Sequence, residues 1–203
     1  MKTRLFILSA ILLLFYTGCS KDNELKKSVF IKDSEFTDLP AYSEWGYNNF
    51  GAYYDREIFV SNDYLVPAKV IATDSSISFI LDGQKGRSTY YSEYTEMSLT
   101  FMLQGFAPRQ YEDLTTLNDS VIDLKNPACQ VHLSVDTLTY RAVILSGMLT
   151  IKRVQNLMVD KQPVEAILSG YFEFKALIND KPVTMSDGRF DVGIGIDNFY
   201  HNP

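Results

Sequence analysis

The sequence predicts an all-β fold, an antiparallel β-sandwich or flattened barrel of roughly eight to ten strands with one short helix. Three observations predict it. Apolar and polar residues alternate at a period of two in several stretches, as in strands with one buried face. Clusters of Gly, Asn, Asp and Pro fall between those stretches, where chain reversals are needed. Only residues 109–117 have helical character, and that segment is short. With 203 residues, 46% hydrophobic and 22% charged, the chain is too apolar for disorder and long enough for one core-bearing domain. A domain of this size buries about 70% of its unfolded surface, so it needs neither disulfide nor metal to stand.

From the N-terminus, Lys2 and Arg4 precede an apolar run, residues 5–16, broken only by Ser9. As a helix this run would cover roughly 18 Å, short of the bilayer's hydrocarbon thickness of about 30 Å. Residues 1–18 therefore read as a signal peptide and not as a permanent span. The run Tyr16-Thr17-Gly18-Cys19 resembles the lipobox of bacterial lipoproteins, with Tyr16 and Thr17 where Leu and Ala or Ser are usual. That resemblance implies cleavage before Cys19 and its modification with diacylglycerol. Ser20 at the next position favours the outer membrane, and Lys21-Asp22-Asn23-Glu24 is similar to export signals of surface lipoproteins in Bacteroidota-type bacteria. The same four residues also read as plain charged linker. Several acyl chains on one residue would anchor the chain firmly without spanning.

Residues 19–43 are charge-dense and aperiodic and read as a lipidated Cys followed by a tether, with room for one strand around Val29-Phe30-Ile31. Residues 44–203 read as a single all-β domain. Within 95–105, Met97, Leu99, Phe101 and Leu103 share one face. Cys129, Val131, Leu133 and Val135 repeat the pattern. Leu168, Gly170, Phe172 and Phe174 point inward against outward Ser169, Tyr171, Glu173 and Lys175, and Phe190, Val192 and Ile194 line one side of a further strand. Turns are predicted at Asp82-Gly83 with Lys85-Gly86, at Asn126-Pro127, and at 160–163 and 179–182. Gly147, Gly170, Gly193 and Gly195 lie inside strand-like segments, where bulges or close approaches are expected.

The segments Ser169-Gly170-Tyr171-Phe172-Glu173-Phe174 and Ser186-Asp187-Gly188-Arg189-Phe190-Asp191 resemble a pattern in uncharacterised lipoproteins of gut Bacteroidota. There a Gly-x-Phe-x-Phe strand leads through a hairpin into an Asp-Gly-x-Phe strand. The resemblance covers about the last forty residues plus the leader, and implies an extracytoplasmic β-domain without carrying over any catalytic residue.

The chemistry of the chain is sparse. A net charge of −6, nearer −8 once Lys2 and Arg4 leave with the signal peptide, argues against a nucleic-acid partner and against adhesion to anionic headgroups by charge. Cys129 and His132, three apart on a strand, point to opposite faces and make no nucleophile–base pair. Cys129 reads as a core residue, His132 as an exposed one and His201 as frayed terminus. No metal site, cofactor motif or nucleophile elbow is expected. Asp55, Glu57, Asp63, Asp74 and Asp82 lack the spacing of a calcium loop, and the abundant carboxylates give no basis for selecting a hydrolytic pair.

Aromatics are more informative. Residues 42–54 contain Tyr42, Trp45, Tyr47, Phe50, Tyr53 and Tyr54, and Tyr90, Tyr91 and Tyr94 form a second cluster. Flat rings with polar tips suit sugar stacking and protein hot spots, so Trp45, Tyr47, Tyr53, Tyr54, Tyr90 and Tyr91 are candidate ligand-binding residues. The same rings would also close the end of a β-sandwich. Asp119-Ser120-Val121 and Asp136-Thr137-Leu138 resemble Bacteroidota O-glycosylation sites, with Ser120 and Thr137 as acceptors. The leading functional expectation is a membrane-tethered, non-catalytic domain that binds a glycan or an outer-membrane protein, or supports an assembly. The alternatives are a lipocalin-like barrel for a small apolar ligand and a carboxylate-based hydrolase.

Overall fold

The computed structural model describes residues 26–61, 67–86 and 94–203. Its strands are β1 (Asn49–Tyr54), β2 (Glu57–Ser61), β3 (Ala68–Ala72), β4 (Ser76–Lys85), β5 (Thr95–Gln104), β6 (Ser120–Asp123), β7 (Cys129–Val135), β8 (Leu138–Val159), β9 (Gln162–Ile178), β10 (Lys181–Gly195) and β11 (Phe199–His201). The short helix is a 3-10 turn, Tyr111–Leu117, which buries Leu114 and Leu117. The strands are joined in the order β11-β3-β4-β2-β1-β10-β9-β8-β7-β5, with β6 branching from β8. Strand β4 pairs with β2 through Gly83, Gln84 and Lys85 and with β5 along its whole length, so the hydrogen-bonded path closes on itself. Every pairing is antiparallel except that of β11 with β3. The outcome is the all-β class expected, a flattened, closed sheet.

Local chemistry explains the long β8–β9–β10 meander. Asp160 and Lys161 both have positive φ (50° and 67°), as do Asn179 and Asp180 (50° and 60°). These are the conformations that two-residue hairpins require for their twist to match the strands they join. Gly170 faces Thr150 so closely that a Cβ would lie 2.0 Å from the Thr150 carbonyl oxygen. The expected turn at Asp82-Gly83 is instead the last part of β4. Gly83 is needed there because the Val60 carbonyl of β2 and the Phe50 ring of β1 would meet a side chain at 2.3 and 2.6 Å.

The inward faces meet directly. Phe101 of β5 lies edge-on to Phe172 of β9 at 5.5 Å and to Phe174 at 6.5 Å, and Phe172 stacks on Phe190 of β10 at 6.4 Å. Met97, Leu99, Val131, Leu133, Leu168, Val192 and Ile194 complete the same core. Cys129 sits half-buried at its margin, with burial and then Asp123 pushing its thiol up. His132 faces the other way. It is half-buried rather than exposed, and desolvation followed by the Arg141 charge holds its pKa down.

Two further expectations require correction. From Lys26 onward the supposed tether belongs to the domain. It makes no named strand at 29–31, but Lys32 bridges Pro40, Val29 N–H donates to Tyr47 O, and Ala41 N–H donates to Ile31 O. Leu39 is fully buried, and Pro40 sits where a Gly51 side chain would be. This arch lies over the outer face of β1, β9 and β10, so Ser169 and Asp191, outward by alternation, are buried too. His201 is likewise not frayed: it ends β11, paired with Ala72, its Nε2 3.7 Å from Asp74.

Candidate functional site

The outer face of β8–β10 is ordered in rows by strand register. Val121, Thr150, Tyr171 and Arg189 form one row across β6, β8, β9 and β10. Asp123, Met148 and Glu173 form the next, and Asp187 lies in the bulge of β10 at the end of that second row. The arch covers this face on one side only. Its covered part is organised by Asp191, whose carboxylate accepts hydrogen bonds from Trp45 N–H at 3.1 Å, Gly46 N–H at 2.8 Å, Tyr47 N–H at 3.1 Å and the Ser43 hydroxyl. A buried charge is tolerable when it is so fully bonded. Nearby, Glu165 lies over Gly193; burial and then the Asp191 charge raise its pKa, while Lys26 opposes them.

The arch ends in a second, more open arrangement. Asp33 Oδ1 accepts the N–H groups of Glu35 and Phe36, closing a tight turn, and Asp33 Oδ2 accepts from Arg189 Nη1 at 2.7 Å. Those two backbone donors, and then Arg189, hold the Asp33 carboxyl below its usual value against the effect of burial. The guanidinium also lies 5.0 Å from the Phe36 ring centroid, and Nε donates to Asp187 O. Tyr42 stacks on Tyr171 with centroids 4.4 Å apart and planes 25° from parallel. Beyond these rings the face falls into an open groove of about 360 Å³, lined by Met148, Thr150, Tyr171, Phe172, Glu173, Asp187, Gly188 and Arg189. A groove of this size lies in the range of small-ligand sites. It offers an aromatic ring, a hydroxyl, two carboxylates and a guanidinium already oriented by Asp33 and Phe36.

The void lined by the inward faces is much smaller. The void between Val70, Phe79, Phe101, Ile151, Phe190 and Ile194 is about 20 Å³, room for a single water-sized body. That void is too small for a lipocalin-type apolar ligand. No group of three or more potential metal ligands gathers among the described residues. Of the acidic residues considered for calcium, Glu57 pairs with Lys85, Asp82 with Lys69 and Asp74 with His201; Asp63 lies outside the described residues.

The predicted aromatic set is dispersed. Trp45 is exposed on the arch and Tyr47 half-buried beside it. Tyr53 and Tyr54, neighbours on β1, point to opposite faces: Tyr53 towards Phe36, with centroids 6.2 Å apart, and Tyr54 towards the core, with Lys85 Nζ 5.1 Å from its ring centroid. Tyr90, Tyr91 and Cys19 lie outside the described residues. Ser120 is part of β6, paired to Ile151, whereas Thr137 is exposed in the β7–β8 turn. The groove residues Tyr171, Glu173 and Arg189 stand in the Gly-x-Phe-x-Phe and Asp-Gly-x-Phe segments, outside the aromatic clusters that the sequence singles out. Their one signal in the sequence is the outward position of Tyr171.

No protein-family model, curated protein or solved structure matches this chain.

Proposed function

We propose that the protein is an extracytoplasmic lipoprotein, anchored through Cys19, whose β-domain binds a glycan in the groove between Tyr171 and Arg189. The observation that carries the glycan reading is the lining of that groove. A half-exposed Tyr ring held by Tyr42 supplies a flat apolar surface. Thr150, Glu173, Asp187 and Arg189 surround it with hydroxyl-directed donors and acceptors. Polar groups placed around one ring suit a polyhydroxylated ligand better than the apolar guest of a lipocalin. Glu173 and Asp187 line the same groove, so a hydrolytic reading is carried into the same experiment.

A glycan array with the chain lacking residues 1–18, followed by calorimetry on the best ligand, tests the site. Tyr171→Ala is expected to weaken binding at least tenfold while costing about 1 kcal/mol of stability, the scale of one aromatic pair. Unchanged affinity in Tyr171→Ala would remove the groove as the site, and release of reducing ends would make the protein a hydrolase. Capture of a protein with no glycan bound would favour a protein partner. Anchoring is tested by fractionation: wild type is expected with membranes and Cys19→Ala without, and equal release of both would defeat it.

A further inference from the structure

We propose that one end of the barrel, formed by the β8–β9 hairpin, the β10–β11 turn and the crown of the arch, rests on the phospholipid surface to which Cys19 holds the chain. The proposal rests on the anchoring reading above and adds an orientation. Its first observation is the position of Lys26. Lys26 is ion-paired with Asp197, the neighbour of Ile196, and so lies at this end. Cys19 precedes Lys26 by seven residues, which even fully extended span about 25 Å. The acyl chains can therefore lie no farther than that from the β10–β11 turn.

The second observation is what this end exposes. Ile196 is 82% exposed and Trp45 75%, and Met158, Val159 and Val164 are also exposed. They come from three segments that the register brings to the same end: Glu165 of β9 pairs with both Leu157 of β8 and Gly195 of β10, and Gly46, next to Trp45, packs against Ile167. Exposed apolar side chains gathered in this way mark an interaction surface. A Trp among them suits the bilayer interface, where aromatic rings concentrate.

The third observation is charge. Lys26, Lys27, Arg153 and Lys161 stand here among Glu44, Asp160, Glu165 and Asp197, a balanced set on a chain of net charge −6. This end is thus spared the repulsion from anionic headgroups that an acidic surface would meet. Docking here would hold the groove away from the bilayer, because Tyr171 lies six residues along β9 from Glu165, about 20 Å at strand rise.

The experiment uses the chain from Cys19 onward with Cys129→Ala, its Cys19 thiol coupled to a maleimide phospholipid in phosphatidylcholine vesicles. Trp45 is the only Trp and reports depth through quenching by acyl-brominated phosphatidylcholine. At least twofold quenching is expected, and Ile196→Ser with Met158→Ser should reduce it. A reporter moved to the opposite end of β8, by Trp45→Phe with Leu138→Trp, is expected to stay unquenched. Unquenched Trp45, or equal quenching at both ends, overturns the docking. The mass of the native protein extracted from membranes is read separately. Absence of lipid on Cys19 overturns anchoring and docking together, whereas a lipidated Cys19 with unquenched Trp45 overturns docking alone.

Discussion

Asp191 and Arg189 stand two residues apart on the same face of β10, both buried, both charged and both covered by the arch. Their surroundings nevertheless differ. Asp191 is enclosed: four donors from residues 43–47 converge on its carboxylate. Arg189 is held by Asp33, Phe36 and the Asp187 carbonyl, and borders the open groove. A charge with all its partners inside the chain serves the fold, whereas one that also borders an open groove stands where the proposed ligand would lie.

The largest expected effect comes from breaking the enclosed half. Asp191→Ala leaves three backbone donors and a hydroxyl without their acceptor, and is expected to cost about 3–5 kcal/mol in urea denaturation. Asp191→Asn keeps one acceptor and should cost less. A loss below about 1 kcal/mol for the Ala variant would show that the arch does not depend on this carboxylate.

The open half should break more gently. Arg189→Ala removes a largely buried ion pair with Asp33 and the contact with Phe36, and an expected loss of about 2 kcal/mol follows. Arg189→Lys retains the charge but not the planar fork, so it should recover only part of that stability. Both variants should weaken glycan binding by more than their stability loss explains at temperatures where they remain folded. If binding followed the folded fraction alone, Arg189 would be structural like Asp191.

The contrast also bears on what the residues reveal before the fold is known. Period two exposed the inner faces of β5, β7, β9 and β10, because alternation is local and each strand carries it unaided. It puts Ser169 and Tyr171 on the outer face, yet gives no hint that Ser169 and its register partner Asp191 are buried. Their cover comes from a charged segment far away in sequence, and Asp33 meets Arg189 across 156 positions. Charge density and lack of periodicity made that segment look like a tether. Its order arises from tertiary partners: the Asp33 turn, Leu39, Pro40 on Gly51, and the N–H groups aimed at Asp191. The aromatic cluster misled for a related reason. Sequence proximity joined Tyr53 and Tyr54, which the strand sends to opposite faces, while the observed stack joins Tyr42 to Tyr171.

Acid titration sharpens the comparison with a smaller effect. Asp33 has a depressed pKa, so its contribution is fully present above the unfolded-state value and disappears as pH falls through the folded one. Glu165 behaves oppositely. Its raised pKa means that the folded state holds the proton more tightly, so stability declines as pH rises from about 4.5 through the folded-state value. Glu165→Gln should abolish that decline and raise Tm at neutral pH by about 1–3 °C. A variant that lowers Tm at neutral pH would mean that the ionised carboxylate is favourable where it lies.

The smallest expected effect tests whether the arch and the barrel are separable. Trp45 sits on the arch, and Cys129 on β7, packed against the core on the far wall. With Cys19→Ala, Cys129 is the only thiol, and its burial predicts labelling about tenfold slower than an exposed thiol. In the Asp191→Ala background the Trp45 emission should shift, because its backbone loses its acceptor, while the slow labelling of Cys129 persists under native conditions. The closed strand path and the Phe101–Phe172–Phe190 contacts do not pass through residues 43–47. If labelling instead accelerated together with the Trp45 change, arch and barrel would unfold as one unit. Asp191 would then hold the whole sheet and not only its cover.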